Sequence, residues 1–239
     1  VCYVSGERMA FATFFLALIS LFIFLSTKRK GPLFAIIISL TVIFFINKFH
    51  PFYNDYKIID SNEYHQGLKV EKKFVCENNL NEICTKIIDI QPKFIDVLRN
   101  FKSSTYGEIY LVAYKMFKQY PITGIGLSNF KLLCENDNYY KKMMKTINCA
   151  SHPHNTYIQW ATEGGVLILF LFLLYLSSLV YFIINNEGEK KFKIISIVIL
   201  LIMFWPIMST GSLVKNWYGI SVFFIIGISM CLSRIKRNY

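Results

Sequence analysis

Residues 165–184 read GVLILFLFLLYLSSLVYFII, twenty consecutive positions without a charge. As an α-helix rising 1.5 Å per residue, such a run covers about 30 Å, the thickness of a bilayer's hydrocarbon core. It stops at Asn185 and Asn186, and Lys190, Lys191 and Lys193 follow. The same pattern recurs on both sides. Downstream, an apolar run at about 194–208 leads through the polar link Ser209–Asn216, with one cation at Lys215, into a further run at about 217–233 that halts at Arg234, Lys236 and Arg237. Upstream, a run at about 9–27 is followed at once by Lys28, Arg29 and Lys30, and a second at about 32–46 leads back. Pro206 is placed to kink or stop the fourth run. The chain is therefore expected to be an all-α polytopic membrane protein, with about five transmembrane helices and one large, mainly helical external loop. Its expected divisions are two spans in 1–47, a loop domain in 48–163 and three spans in 164–239.

Composition agrees with that class. Of 239 residues, 54% are hydrophobic and only 17% charged, with a mean hydropathy of +0.40. Soluble domains carry about 25% charge. So apolar a chain is not intrinsically disordered. A net charge of +11 would suit nucleic acid only if the cations shared one wet face. Instead they bunch between apolar runs, as short cytoplasmic loops do. Placing all three basic clusters inside leaves residues 48–163 outside and the C-terminus inside. The fifteen cations and twelve anions of 48–163 do not oppose this, because long loops translocate regardless of charge. The chain opens on Val1 and reaches a span within eight residues, without the flanks of a cleaved signal. Further spans are expected upstream.

Within the external segment, Phe94, Val97, Leu98 and Phe101 share one helical face. So do Tyr106, Ile109, Tyr110, Ala113, Met116, Phe117 and Tyr120, before Pro121 ends the pattern. These stripes are expected to pack on each other or lie at the lipid interface. Segment 54–90 has weaker periodicity, fitting irregular chain or a short hairpin. Four cysteines fall in the loop, and an oxidising compartment would close them. Local pairs Cys76–Cys84 and Cys134–Cys149 are the simplest of three connectivities; free buried thiols are the alternative. Cys2 and Cys231, in or beside spans, read as packing residues.

The densest cluster of reactive side chains is Ser151-His152-Pro153-His154-Asn155-Thr156-Tyr157, just before the third span. Histidine titrates near neutrality and serves as general base, hydrogen-bond donor or phosphate ligand. The pair lacks acidic or further histidine partners at ligand spacing, so metal is not expected. A structural histidine at a helix start remains open for either one singly.

Three stretches then carry a family resemblance. His154-Asn155, nine residues and Gly165 form a His-Asn-x9-Gly signature. Pro121-Ile122-Thr123-Gly124-Ile125-Gly126-Leu127-Ser128-Asn129-Phe130 matches Pro-x-x-Gly-x-Gly-x-x-Asn-Phe, and Ser5-Gly6-Glu7-Arg8-Met9-Ala10 is similar to Ser-Gly-Ser-Arg-x-Ala. Together they resemble the O-antigen ligase and O-antigen polymerase superfamily of bacterial inner-membrane glycosyltransferases, over essentially the whole chain. The resemblance implies a metal-independent, cofactor-free, inverting transfer of a glycan from undecaprenyl diphosphate to an acceptor hydroxyl. The acceptor is lipid A-core in a ligase and another repeat unit in a polymerase. It also implies that 48–163 is periplasmic, and that this chain corresponds to the C-terminal half of a fold of about a dozen helices. No nucleic acid partner is implied.

A diphosphate leaving group needs cations, and a guanidinium holds it in bidentate fashion. Arg8, at the outer end of the first span, is the first candidate; an arginine snorkelling to headgroups is the alternative. His154 is the expected catalytic partner, as base or as proton donor to phosphate. His152, Asn155 and Tyr157 are candidate substrate contacts; Asn155 and Tyr157 would orient His154 or hydrogen-bond sugar, although Asn155 equally suits a helix N-cap. Gly124 and Gly126 read as turn formers. Glu163 is either catalytic or interfacial. One departure stands out: the family's second arginine is missing from Ser103-Ser104-Thr105-Tyr106-Gly107-Glu108, leaving Arg99 or Lys102 to supply its charge. Lysine lacks the bidentate geometry. A transporter would show broken spans around a midplane site, and a purely structural assembly protein would leave the histidine run without a role.

Overall fold

The computed structural model describes residues 8–25, 28–49, 56–59, 64–65, 68–69, 71–76, 84–90, 99, 101–144, 148–207 and 209–236. Its helices are α1 (Arg8–Phe24), α2 (Lys30–Phe49), α3 (Thr105–Gln119), α4 (Phe130–Asn136), α5 (Asn138–Met143), α6 (Thr156–Asn185), α7 (Lys190–Met203) and α8 (Asn216–Ser233). Two of these, α6 and α8, are long and apolar enough to cross a membrane; the apolar stretches Met9–Phe24 and Lys30–Ile46 are shorter. The chain forms two compact units, residues 1–35 with 109–239 and residues 36–108.

The unit 36–108 corrects the all-α expectation. It holds five strands: β1 (Tyr56–Ile59), β2 (Tyr64–His65), β3 (Leu68–Lys69), β4 (Glu71–Cys76) and β5 (Cys84–Ile90). β1, β4 and β5 form an antiparallel sheet in the order β1-β4-β5, and β2 pairs with β3. The residues explain this. Ile58, Ile59, Val75, Thr85, Ile87, Ile88 and Ile90 are β-branched, which suits a pleated surface better than a helix. Cys76 and Cys84 are register partners; whether they are bonded lies outside the described residues, as do Phe94, Val97, Leu98 and Cys2. In the same unit, Ser104 caps α3: its Oγ accepts from Gly107 N at 3.1 Å and donates to Phe101 O at 2.6 Å. The segment where an arginine was sought is thus a capping turn.

The other unit has two apolar centres. One gathers Ile109, Val112, Ala113 and Met116 of α3 with Phe130, Cys134, Tyr140, Cys149 and Ala150. Cys134 and Cys149 are disulfide-bonded there, with Cα atoms 5.8 Å apart. The second joins Phe172, Leu179 and Ile183 of α6 to Leu200 and Phe204 and to Val222 and Ile226 of α8. α7 packs on α8, α1 and α6. Ser196 Oγ donates to Ser229 O (2.8 Å) and Ser229 Oγ to Ser196 O (3.0 Å), a reciprocal clasp between α7 and α8. Small hydroxyl residues permit that close approach between apolar helices.

α6 starts at Thr156, nine residues before the span read from charge alone, and is broken at Gly165 (φ 68°, ψ −171°). The break is filled by Pro121–Gly126. Ile125 N and Gly126 N donate to Thr162 O (3.0 Å) and Glu163 O (2.9 Å), and Val166 N donates to Pro121 O (2.9 Å). Three backbone groups that a continuous helix would pair internally are satisfied by the loop instead. The fit leaves no room for side chains: a Cβ on Gly165 would lie 2.1 Å from Ile122 O, and one on Gly124 2.4 Å from Glu163 O.

Candidate active site

The histidine loop is shaped by Pro153, His154 and Asn155. His154 lies at φ 54°, a left-handed conformation that non-glycine residues adopt rarely and often at functional positions. Asn155 follows with extended backbone and caps α6, its Oδ1 accepting from Tyr157 N and Ile158 N, each at 3.1 Å. Its Nδ2 donates to Pro206 O at 2.7 Å, and Tyr157 Oη donates to Phe204 O at 2.6 Å. These two side chains therefore tie the loop to carbonyls just past the end of α7. Asn155 and Tyr157 are bound into the scaffold, an arrangement that fits a part in orienting His154 and, for Asn155, the helix N-cap.

The link after α7 completes the site. Thr210 N donates to His154 O (2.8 Å), Thr210 O receives His152 Nε2 (3.2 Å), and the hydroxyls of Thr156 and Thr210 are 3.0 Å apart. Gln159 Nε2 donates to Ser212 Oγ (2.7 Å) and Glu163 Oε2 (2.8 Å). Glu163 is fully buried, and its Oε1 has no partner among the described residues.

The two imidazoles differ. His152 is buried, with Nδ1 2.9 Å from Ser151 Oγ and Nε2 facing a carbonyl, so its partners assign the proton to Nε2. Its ring is committed to the scaffold. His154 is half-buried, its ring centroid 4.2 Å from that of His152. Burial lowers the pKa of both; the charge of Lys215 lowers each further, and for His152 so does His154. Lys215 itself is exposed at the start of α8, its N–H on Ser212 O at 3.0 Å. The site thus presents an imidazole whose neutral form is favoured by burial and by the charge of Lys215. Among the described residues no group of three or more His, Cys, Asp or Glu is arranged to hold a metal.

The O-antigen ligase sequence model matches residues 1–173, over two thirds of the chain. The chain belongs to the O-antigen ligase family. The match includes the histidine loop, the Pro121–Gly126 loop and the Gly165 break. As an O-antigen ligase family member, the protein is an integral membrane protein of the glycosyltransferase-like class that serves O-antigen and polysaccharide biosynthesis. Comparison with curated proteins and with solved structures gives no match. Thr210, Ser212 and Lys215 lie beyond the matched segment, yet in this O-antigen ligase family member they complete the histidine site. Their signal in the sequence is the small polar run Ser209-Thr210-Gly211-Ser212 between two apolar helices, where a mere connector needs no such residues. Arg8 opens α1, its side chain outside the described residues, while Arg99 and Lys102 are exposed in the 36–108 unit.

Proposed function

We propose that this protein is an O-antigen ligase that transfers a glycan from undecaprenyl diphosphate to a hydroxyl of lipid A-core at the periplasmic face, with inversion and without metal. The supporting observation is His154: a half-buried imidazole on a left-handed turn, pinned through its carbonyl by Thr210, with its pKa lowered by burial and by Lys215. A neutral imidazole suits a base better than a phosphate ligand. In the proposed step, His154 takes the proton of the acceptor hydroxyl as its oxygen attacks the anomeric carbon. The bond from that carbon to the phosphate oxygen breaks, and its electron pair leaves with the diphosphate. Arg8 and Lys215 supply the charge that stabilises the leaving group, Lys215 taking the part first sought at Arg99 or Lys102. His152, Asn155 and Tyr157 act through the loop they hold. In the membrane, five spans with 48–163 periplasmic and the C-terminus cytoplasmic fit the three basic clusters.

The test is a polysaccharide gel of a deletion strain complemented with variants. Complementation by His154→Ala or Arg8→Ala in the complete protein is expected to leave polymer on its lipid carrier and lipid A-core unmodified, with normal membrane expression. Normal attachment with both variants removes the site. Lipid A-core capped by a single repeat unit in the deletion strain identifies a polymerase instead.

A further inference from the structure

At the end of α6 and α8 away from the histidine loop lies a cavity of ≈ 760 Å³. The 30 residues of α6 put it roughly 40 Å from His154 at 1.5 Å per residue, so it is not part of the transfer site. Its lining joins the apolar Leu179, Phe182 and Met230, nearer the helix middles in sequence, to Glu187, Arg234 and Lys236 at the helix ends.

The charges there do not balance. Lys236 is paired with Glu187. Nearby, Lys191 is paired with Glu189 at 3.0 Å, and Lys193 Nζ caps α6 through Ile184 O and Asn186 O. Arg234 has no carboxylate partner among the described residues; its guanidinium lies 4.6 Å from the Phe182 ring centroid. Stacking uses the face of the guanidinium and leaves its edge N–H donors for an anion. Among the described residues of the lining, Glu187, Arg234 and Lys236 leave one surplus positive charge beside the apolar side chains. A phosphodiester with one negative charge and an acyl chain matches both features, as basic pockets between membrane helices match anionic headgroups.

We infer that this groove is a binding site for one anionic phospholipid, its phosphate on the edge of Arg234 and beside Lys236, and an acyl chain along Leu179, Phe182 and Met230. The inference is independent of the proposed glycan transfer.

Native mass spectrometry of the full-length protein in detergent, given equimolar phosphatidylglycerol and phosphatidylcholine, tests it. The expected spectrum retains one phosphatidylglycerol with at least a fivefold preference. Arg234→Gln is expected to cut that preference several-fold, and Lys215→Ala, at the other end, to leave it intact. Millimolar inorganic phosphate is expected not to displace the lipid. Equal retention of the two lipids by the wild-type protein overturns the inference even if the Arg234 variant fails to fold. So does an unchanged preference in a folded Arg234→Gln protein, or displacement by inorganic phosphate, which would mark a simple anion site.

Discussion

Adjacent residues in the histidine loop do different work, and substitution separates them. Asn155 spends its oxygen on the α6 cap and its nitrogen on Pro206 O. Asn155→Ala therefore loses the cap, worth about 1 kcal/mol, and strands a carbonyl at a cost of about 1–3 kcal/mol. A thermal melt in detergent should fall by several degrees, with activity lost in proportion to folded protein; unchanged melting with lost activity would mean a substrate contact instead. His154→Ala is expected to do the reverse, abolishing transfer with little change in melting. The pH profile carries a second prediction. Because the pKa of His154 lies below its ordinary 6.5, the neutral base persists as pH falls through that value, and activity should decline only at lower pH. Removing the positive charge in Lys215→Ala lets the pKa rise, so the acid limb should move to higher pH. An acid limb that does not move in this variant argues against a coupling of the two groups. For stability the sign is the same: imidazoles with lowered folded pKa values lose stabilisation as pH falls below the unfolded value, because the unfolded chain binds the proton more readily.

At the scale of elements, the two glycine motifs form one joint. Gly165 breaks α6, and the loop containing Gly124 occupies the break. Alanine at Gly165 costs about 1–3 kcal/mol for a positive-φ, extended-ψ backbone that is essentially glycine's alone, before the clash with Ile122 O. Gly165→Ala and Gly124→Ala should each lower the melting temperature and the transfer rate together. Gly227→Ala is the control, since a Cβ there meets nothing within 4 Å, and it should leave both unchanged. The joint also marks how far the elements were legible. Helix ends set by charge or proline were readable, as at Lys28–Lys30, Pro206 and Arg234. The α6 start was not: a count of uncharged residues begins after Glu163, whereas the helix begins at the Asn155 cap. Glu163 is tolerated inside because Gln159 reaches it. On α3 the aromatic stripe was right at Ile109, Ala113 and Met116, but Val112 is buried while Tyr106 and Tyr120 are exposed. Burial there is decided by the Phe130 and Tyr140 packing that periodicity does not encode. The strands of 56–90 hid behind charges: Lys72, Lys73, Lys86 and Asp89 interrupt the β-branched runs.

Over the whole chain, the two ends of the long helices carry different chemistry, and that difference predicts sidedness. The Cys134–Cys149 bond closes a 15-residue separation, worth about 3 kcal/mol, and ends one residue before Ala150 and the histidine loop. Such a bond persists in an oxidising compartment, which fits the proposed periplasmic placement of the loop that bears His154. Thr210 holds the Ser209–Lys215 link against that loop, which places Lys215 on the same side. The α7 start, with Lys190 and Lys191, is one helix away and rich in cations, as cytoplasmic loops are. Both Lys190 and Lys215 are exposed. In a background with Cys231 replaced by Ser, Lys215→Cys should react with a membrane-impermeant maleimide in cells whose outer membrane alone is permeabilised. Lys190→Cys should react only after the inner membrane is also opened. Labelling of both before that step, or the opposite order, would refute the five-span arrangement and would place the histidines where no periplasmic acceptor reaches them.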